Sequence, residues 1–332
     1  MQIKSGRATH AREHSDYPAI PPLAGVALGL IAFSTSSIMT RYAQAYAPSL
    51  VIAAYRLGLA SLVLWPLTLF RSGEALRRTD RRQLLLSLAS GAFLAIHFGT
   101  WITSLEYTTV ASSLVLVWTS PLFVALLSPL TLGESISRPI RIGLIVALTG
   151  SVIVGLSDAC TWQAGFACPP ASQFFRGKAI FGDLLALAGA IAGAGYIILG
   201  RRLRQSMPLI PYISLAYGAA AVLLIMGVGV FRLAAFGYPL QAYGWFALLA
   251  LLPQLIAHST YNWALRYLPA AYVSVALLGE PVGSTVLAYF LLGERPADMM
   301  LVGGMLILAG ILIASRRQTY QPGIGSPTPS SG

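Results

Sequence analysis

Acidic side chains are what this chain has least of: Asp and Glu number 11 in 332 residues, and all charged residues together make up 10%. Soluble domains carry roughly a quarter charged residues, so a conventional water-facing globule is excluded. Cysteine is confined to Cys160 and Cys168. No His or acid other than Asp158 stands near them, which argues against a two-thiol metal site. Also missing are the spacings that enzyme and nucleotide chemistry need: no H-E-x-x-H pair, no G-x-S-x-G elbow, no P-loop and no G-x-G-x-x-G turn. An ATP-driven pump is thereby excluded and an intramembrane enzyme loses its usual signatures. No cofactor is implied.

What is present is apolar surface. Hydrophobic residues make up 56% of the chain, and the mean hydropathy is +0.71. A hydrocarbon core of about 30 Å takes about 20 apolar residues per helix. Ten such runs follow one another, at 22–40, 48–70, 83–105, 108–131, 139–157, 180–200, 211–231, 242–265, 270–292 and 298–315. They leave almost nothing for a soluble domain. The expected fold is an all-α integral membrane protein with ten transmembrane helices.

The net charge of +11 raises the question of a nucleic-acid partner, and the placement of the basic residues answers it. Assigned to alternating sides of ten spans, sixteen fall with the N-terminus, among them Arg71, Arg77, Arg78, Arg81, Arg82 and the trio Arg201, Arg202 and Arg204. Five fall opposite: Arg41, Arg176, Lys178, Arg232 and Arg295. This is the bias that orients multispanning proteins, with the basic side inside. It predicts cytoplasmic termini in a bacterial plasma (inner) membrane, and no nucleic acid. Residues 1–21 then form a cytoplasmic segment, without a separate cleavable apolar leader. Residues 158–179 form an extracytoplasmic loop, in which Cys160 and Cys168 are expected to pair as a disulfide in an oxidising compartment. Residues 316–332, rich in Pro, Gly and Ser, read as a disordered cytoplasmic tail.

Residues 104–134 align without gaps on 264–294 at a constant offset of 160. Tyr107 matches Tyr267, Pro121 matches Pro281, Leu132-Gly133-Glu134 matches Leu292-Gly293-Glu294, and Gly143 and Gly150 match Gly303 and Gly310. The chain is therefore two five-helix repeats, 22–157 and 180–315. With an odd number of spans per half, the second repeat is inverted relative to the first, an arrangement that places solute sites near the midplane between the halves. Gly133 and Gly293 suit helix ends that need positive φ, and the Glu after each is read as a surface charge. Pro121 and Pro281 are expected to kink their spans. The pairs Gly25/Gly29, Gly189/Gly193 and Gly279/Gly283 have the spacing for close helix approach.

The two A-x9-P-x10-L-G-E blocks (111–134 and 271–294), Arg56 within AAYRLGLASLVL and the GDLLALAGA stretch (182–190) resemble the EamA-like family of the drug/metabolite transporter superfamily. The resemblance covers nearly all of 22–315. It implies a ten-helix carrier of amino acids, other metabolites, sugars or drugs, but not a particular solute.

Four ionisable residues lie deep within spans: Arg56, His97, His258 and Glu280. Such residues usually face a bundle interior, a cavity or each other. The depths of Arg56 and Glu280 are compatible with a pair. One reading makes it structural; the other makes Arg56 an anchor for a solute carboxylate and Glu280 the partner of a proton or an amine. His97 shares a face with Trp101, and His258 with Gln254, Tyr261 and Asn262. The 160-residue offset carries Trp101 onto Tyr261 and His97 to Ala257, beside His258. Both histidines are thus expected to line a central cavity, with hydrogen bonding to a neighbouring helix as the alternative. Trp118 and Tyr196 are candidates for the same lining, although aromatic residues in spans also serve packing.

These features predict a secondary transporter of a small metabolite, an amino acid or a related amphipathic solute, with efflux the expected direction and proton coupling at Glu280. A translocase for sugar, nucleotide-sugar or lipid-linked solutes in the same fold is the alternative; a channel or intramembrane enzyme is the reading outside that class. The partners implied are the solute and the lipid bilayer; the oligomeric state is left open. The orientation is directly testable: a reporter active only in the periplasm, fused after Arg317, is expected to be silent. Activity there would contradict the charge-based topology.

Overall fold

The computed structural model describes residues 18, 20–108, 110–157, 178–292 and 298–316. Cys160, Cys168 and their expected disulfide lie outside the described residues, as do Gly293 and Glu294. Every regular element among the described residues is a helix. Numbered by span, these are α1a (Pro22–Phe33) and α1b (Ser36–Gln44), α2 (Ser49–Arg77), α3 (Arg81–Ser104), α4a (Val110–Val117) and α4b (Ser120–Thr131), and α5 (Arg138–Ser157). The second half has α6 (Lys178–Arg204), α7 (Leu209–Val230), α8 (Leu240–Ala264), α9a (Ala270–Leu277) and α9b (Glu280–Leu292), and α10 (Asp298–Ser315).

Among the described residues, nine helical stretches are long and apolar enough to cross a membrane; the 20-residue α5, packed along α10, completes ten. Large apolar side chains point outward along them: Phe70 is 89% exposed and Leu130 83%. In water such a surface would mark an interface; against lipid tails it is the ordinary outer face.

The inverted repeat is visible in the packing. Helix α5 lies along α10, and a Cβ placed on Gly143 would come within 2.4 Å of the Gly310 carbonyl oxygen, while one on Gly150 would come within 2.5 Å of that of Gly303. Since Gly143 corresponds to Gly303 and Gly150 to Gly310, each contact is the pseudo-two-fold image of the other, as in an isologous interface. Helices α2 and α7 also pack on each other across the halves, as do α3 and α6, with α1 and α8 as their symmetry image. The predicted small-residue pairs serve the same purpose. Cβ atoms on Gly25, Gly193 and Gly283 would collide with Trp263, His97 and Ser34 respectively.

Three spans that the apolar pattern renders continuous are interrupted, at 34–35, 118–119 and 278–279. Pro121 and Pro281, expected from sequence to kink their spans, each sit second in the half-helix that follows an interruption. There the missing N–H would have had no partner in any case. The first interruption has a local cause: Ser34 and Thr35 donate their hydroxyls back to the carbonyls of Leu30 and Ala32 at 2.8 and 2.7 Å, competing with the helical ladder. Around Pro253, residues Ala250–His258 of α8 widen into a π-helix.

At the arginine-rich end the halves are fastened by a polar clasp. Gly133 terminates α4b with φ +69°, as its place in the repeat suggests, but Glu134 is not a free surface charge. It accepts from Arg201 Nε at 2.5 Å and from the Ala270 amide at 3.1 Å, while Arg201 Nη1 donates to the carbonyls of Leu265 and Arg266 at 2.7 and 3.0 Å. One first-half acid thus ties together the ends of α6, α8 and α9a.

Two sets of thermal melts in detergent test this packing. Gly143→Val is expected to lose about 1–3 kcal/mol through overpacking, whereas Gly58→Ala, with open space around it, should be neutral or gain about 0.5–1 kcal/mol from helix propensity. In the clasp, Glu134→Gln and Arg201→Met are each expected to cost about 2–4 kcal/mol, because the surviving partner is left largely buried. The double variant should lose no more than the worse single one. Additive losses would mean that the two residues act independently.

Candidate solute site

The three interruptions converge on one cavity. Its wall includes Phe33 at the end of α1a, Val117, Trp118, Ser120 and Pro121 around the break in α4, and Leu277, Leu278 and Glu280 around the break in α9. The space free of protein atoms there, open mouth included, is about 820 Å³. Irregular backbone at membrane depth is tolerated where it is buried in protein or lines a cavity, and both conditions hold here.

The structure places eight of the nine sequence-derived candidates on this wall. His97 and Trp101 come from α3, Trp118 from the break in α4, Tyr196 from α6, His258, Tyr261 and Asn262 from α8, and Glu280 from the start of α9b. His97 Nδ1 lies 2.8 Å from the Gly189 carbonyl. A carbonyl only accepts, so Nδ1 carries the hydrogen, and the cavity histidine is also held by a neighbouring helix. Asn262 Nδ2 donates to Tyr196 Oη at 2.6 Å and to the His258 carbonyl at 2.7 Å. Four buried polar atoms of the wall have no partner in the protein: Trp101 Nε1, His258 Nε2, Tyr261 Oη and Asn262 Oδ1. Buried polar groups are nearly always paired; four further unpaired atoms, on Thr40, Arg56, Ser61 and Gln254, lie off the wall.

Arg56 departs from its expected place. It is 1% exposed, is absent from the cavity wall, and lies with its guanidinium carbon 4.3 Å above the Phe98 ring. That ring packs against His97 and His258 at 5.0 and 5.6 Å, so the cation stands one aromatic layer behind the wall. A solute in this cavity would meet Phe98's neighbours before it met Arg56. Nor does Arg56 form an ion pair with Glu280; the ion pairs among the described residues are Arg201–Glu134 and Arg78–Glu74.

The two charges are linked instead through neighbouring serines. Arg56 Nε donates to Gln254 Oε1 at 2.9 Å and Nη1 to Ser36 Oγ at 3.1 Å, while Ser37 Oγ donates to Glu280 Oε1 at 2.7 Å. Ser36 and Ser37 begin α1b, so the break in the first span lets one short stretch hold both groups. Sequence reasoning passed over Ser37 and Ser120, although the run Ser34-Thr35-Ser36-Ser37 inside an apolar span was a visible signal for the first.

Comparison with known proteins agrees with this architecture. The sequence pattern of the EamA-like transporter family matches residues 21–156 and 180–316. An uncharacterized transporter of Archaeoglobus fulgidus is 24% identical over 80% of this chain and 88% of its own length. A probable terminal-alkyne amino-acid exporter of Streptantibioticus cattleyicolor is 25% identical over 61% of this chain and 63% of its own. A solved crystal structure superposes with a TM-score of 0.71 at 19% identity, covering 89% of this chain and 96% of the other, and so shares the fold. With both halves matched and ten spans built as inverted repeats around a cavity, the chain belongs to the EamA-like transporter family.

Proposed function

We propose that this transporter exports a small amphipathic, amine-bearing solute of the amino-acid type by alternating access, exchanging it for a proton at Glu280. The observation that carries this reading is that, among the described residues, the wall holds one carboxylate and no Arg or Lys, the carboxylate seated where an interrupted helix begins. Glu280 lines the cavity, is 6% exposed and has one hydrogen-bond donor, Ser37. Its place in the first turn of α9b favours a negative charge through the helix dipole. A solute ammonium or a proton can neutralise the same carboxylate, and competition between them couples their fluxes. The exporter relative supports an amino-acid solute, and the charge bias of the loops supports cytoplasmic termini in a bacterial plasma membrane.

Arg56 acts in this reading as a positioning residue: through Ser36 it fixes the start of α1b, and so the neighbouring Ser37 that holds Glu280. Nucleotide-sugar translocation fits the wall poorly, since among the described residues no Arg or Lys lines the cavity to meet a phosphate.

Purified protein in liposomes tests the coupling. With a panel of radiolabelled apolar amino acids, Glu280→Gln is expected to lose uptake driven by a pH gradient at least tenfold while solute-for-solute exchange falls much less. Unchanged pH dependence in Glu280→Gln would remove the proton role.

A further inference from the structure

The repeat relates the two sides of the cavity residue by residue, and the chemistry on the two sides differs. At the offset of 160, Glu280 corresponds to Ser120, Tyr261 to Trp101 and Phe33 to Gly193. One pole gathers Glu280 with Tyr261 and His258, on which the Phe33 ring packs edge-on at 5.8 and 5.1 Å. The other gathers Ser120, His97 and Trp101 on the glycine face of α6. A Cβ on Gly193 would lie 2.9 Å from His97 Nδ1 and 3.3 Å from Ser120 Oγ, and one on Gly189 would lie 3.1 Å from Trp101 Cβ.

Each pole is also the start of a half-helix, and here the asymmetry is electrostatic. The start of α9b carries an acid in its first turn. The start of the 12-residue α4b has none, and its N-cap residue Thr119 makes no side-chain cap, giving its hydroxyl to the Leu116 carbonyl at 2.6 Å instead. The start of α4b therefore borders the cavity without an acid; Pro121 has no N–H and the Thr119 and Leu122 amides are bonded to the Leu116 and Thr119 carbonyls, so Ser120 supplies the donors there. Within the same pole, Trp101 is 7% exposed and its indole N–H has no acceptor. An indole N–H donates only, so the group it awaits is an acceptor.

We propose that the Ser120 end of α4b, with the Trp101 indole N–H, receives the solute's carboxylate while Glu280 receives its ammonium. The transported molecule is then a zwitterion with an apolar body, held between two unlike poles of one pseudo-symmetric site. This assignment rests on the amino-acid reading above and sharpens it. It moves the carboxylate anchor from Arg56, behind Phe98, to Ser120 and the Trp101 indole N–H, hydrogen-bond donors both. The remaining wall is largely apolar, with Val273, Leu277 and Ile197 among its members, which suits an apolar side chain between the poles.

The test compares leucine, methionine and phenylalanine, each beside its carboxamide, as stabilisers of the purified full-length protein in thermal melts; ligands stabilise the state that they bind. Removing the negative charge from the probe is expected to weaken binding to the wild type about tenfold or more, as loss of charge-assisted hydrogen bonds implies. Ser120→Ala should weaken the acids about tenfold and leave the carboxamides nearly unchanged. Ser120→Asp, which places a carboxylate at the second pole, should reverse the preference toward the carboxamides. If acids and carboxamides stabilise the wild type equally, or Ser120→Ala weakens both alike, the two-pole assignment is overturned while the amino-acid reading stands. If no member of the panel binds, and none shows counterflow in liposomes, the amino-acid reading itself falls and the assignment with it.

Discussion

Hydrocarbon offers no hydrogen bonds, so a transmembrane helix can be broken only where other protein groups or a cavity take over its backbone partners. That constraint organises this molecule. The breaks in α1, α4 and α9 meet at one cavity, and backbone carbonyls at two of them, those of Leu30, Ala32, Ser34 and Leu116, accept from Ser and Thr hydroxyls. Everything chemically unusual is gathered there. The cation Arg56, which would be costly alone in such a medium, is held by Gln254, Ser36 and the face of Phe98, and of Arg56 and Glu280 the acid is the one on the cavity wall.

The same geometry bears on how such a protein changes state. Helices α5 and α10 meet through backbone, with glycine on both sides, which leaves no compressible layer between them and makes a rigid pseudo-two-fold pair. The Glu134–Arg201 clasp, by contrast, is made of side chains and binds helix ends from both halves. Arg201 Nη1 also holds the carbonyl of Leu265, a residue of the cavity wall.

Much of this was legible in the sequence, for identifiable reasons. The offset of 160 residues revealed the repeat and fixed its inversion, because an odd number of spans leaves no alternative. Polar side chains in apolar runs pointed to His97, His258, Asn262 and Glu280, since a polar group at that depth is costly unless it meets a cavity or a protein partner. The break at 34–35 was hidden because apolar periodicity in a membrane reports which segments are buried in lipid and says nothing of backbone continuity, whereas Pro121 and Pro281 marked the neighbourhood of the other two. The place of Arg56 was hidden too: depth along a helix gives no angle about it, and the screening ring, Phe98, comes from another span. Glu134 was visible as a repeated residue, but its partner lies in the other half, and only the fold brings the two together.

The central claim is that the two halves alternate around this cavity, and distances across both ends test it most directly. Spin labels at Arg138 and Arg266 on the arginine-rich end, and at Tyr107 and Phe236 on the other, would be followed in liposomes by pulsed dipolar spectroscopy, with and without a bound amino acid and across pH. The account predicts that the two distance distributions shift in opposite directions, one end closing as the other opens. Distributions that stay fixed, or that widen together, while transport remains saturable would contradict it.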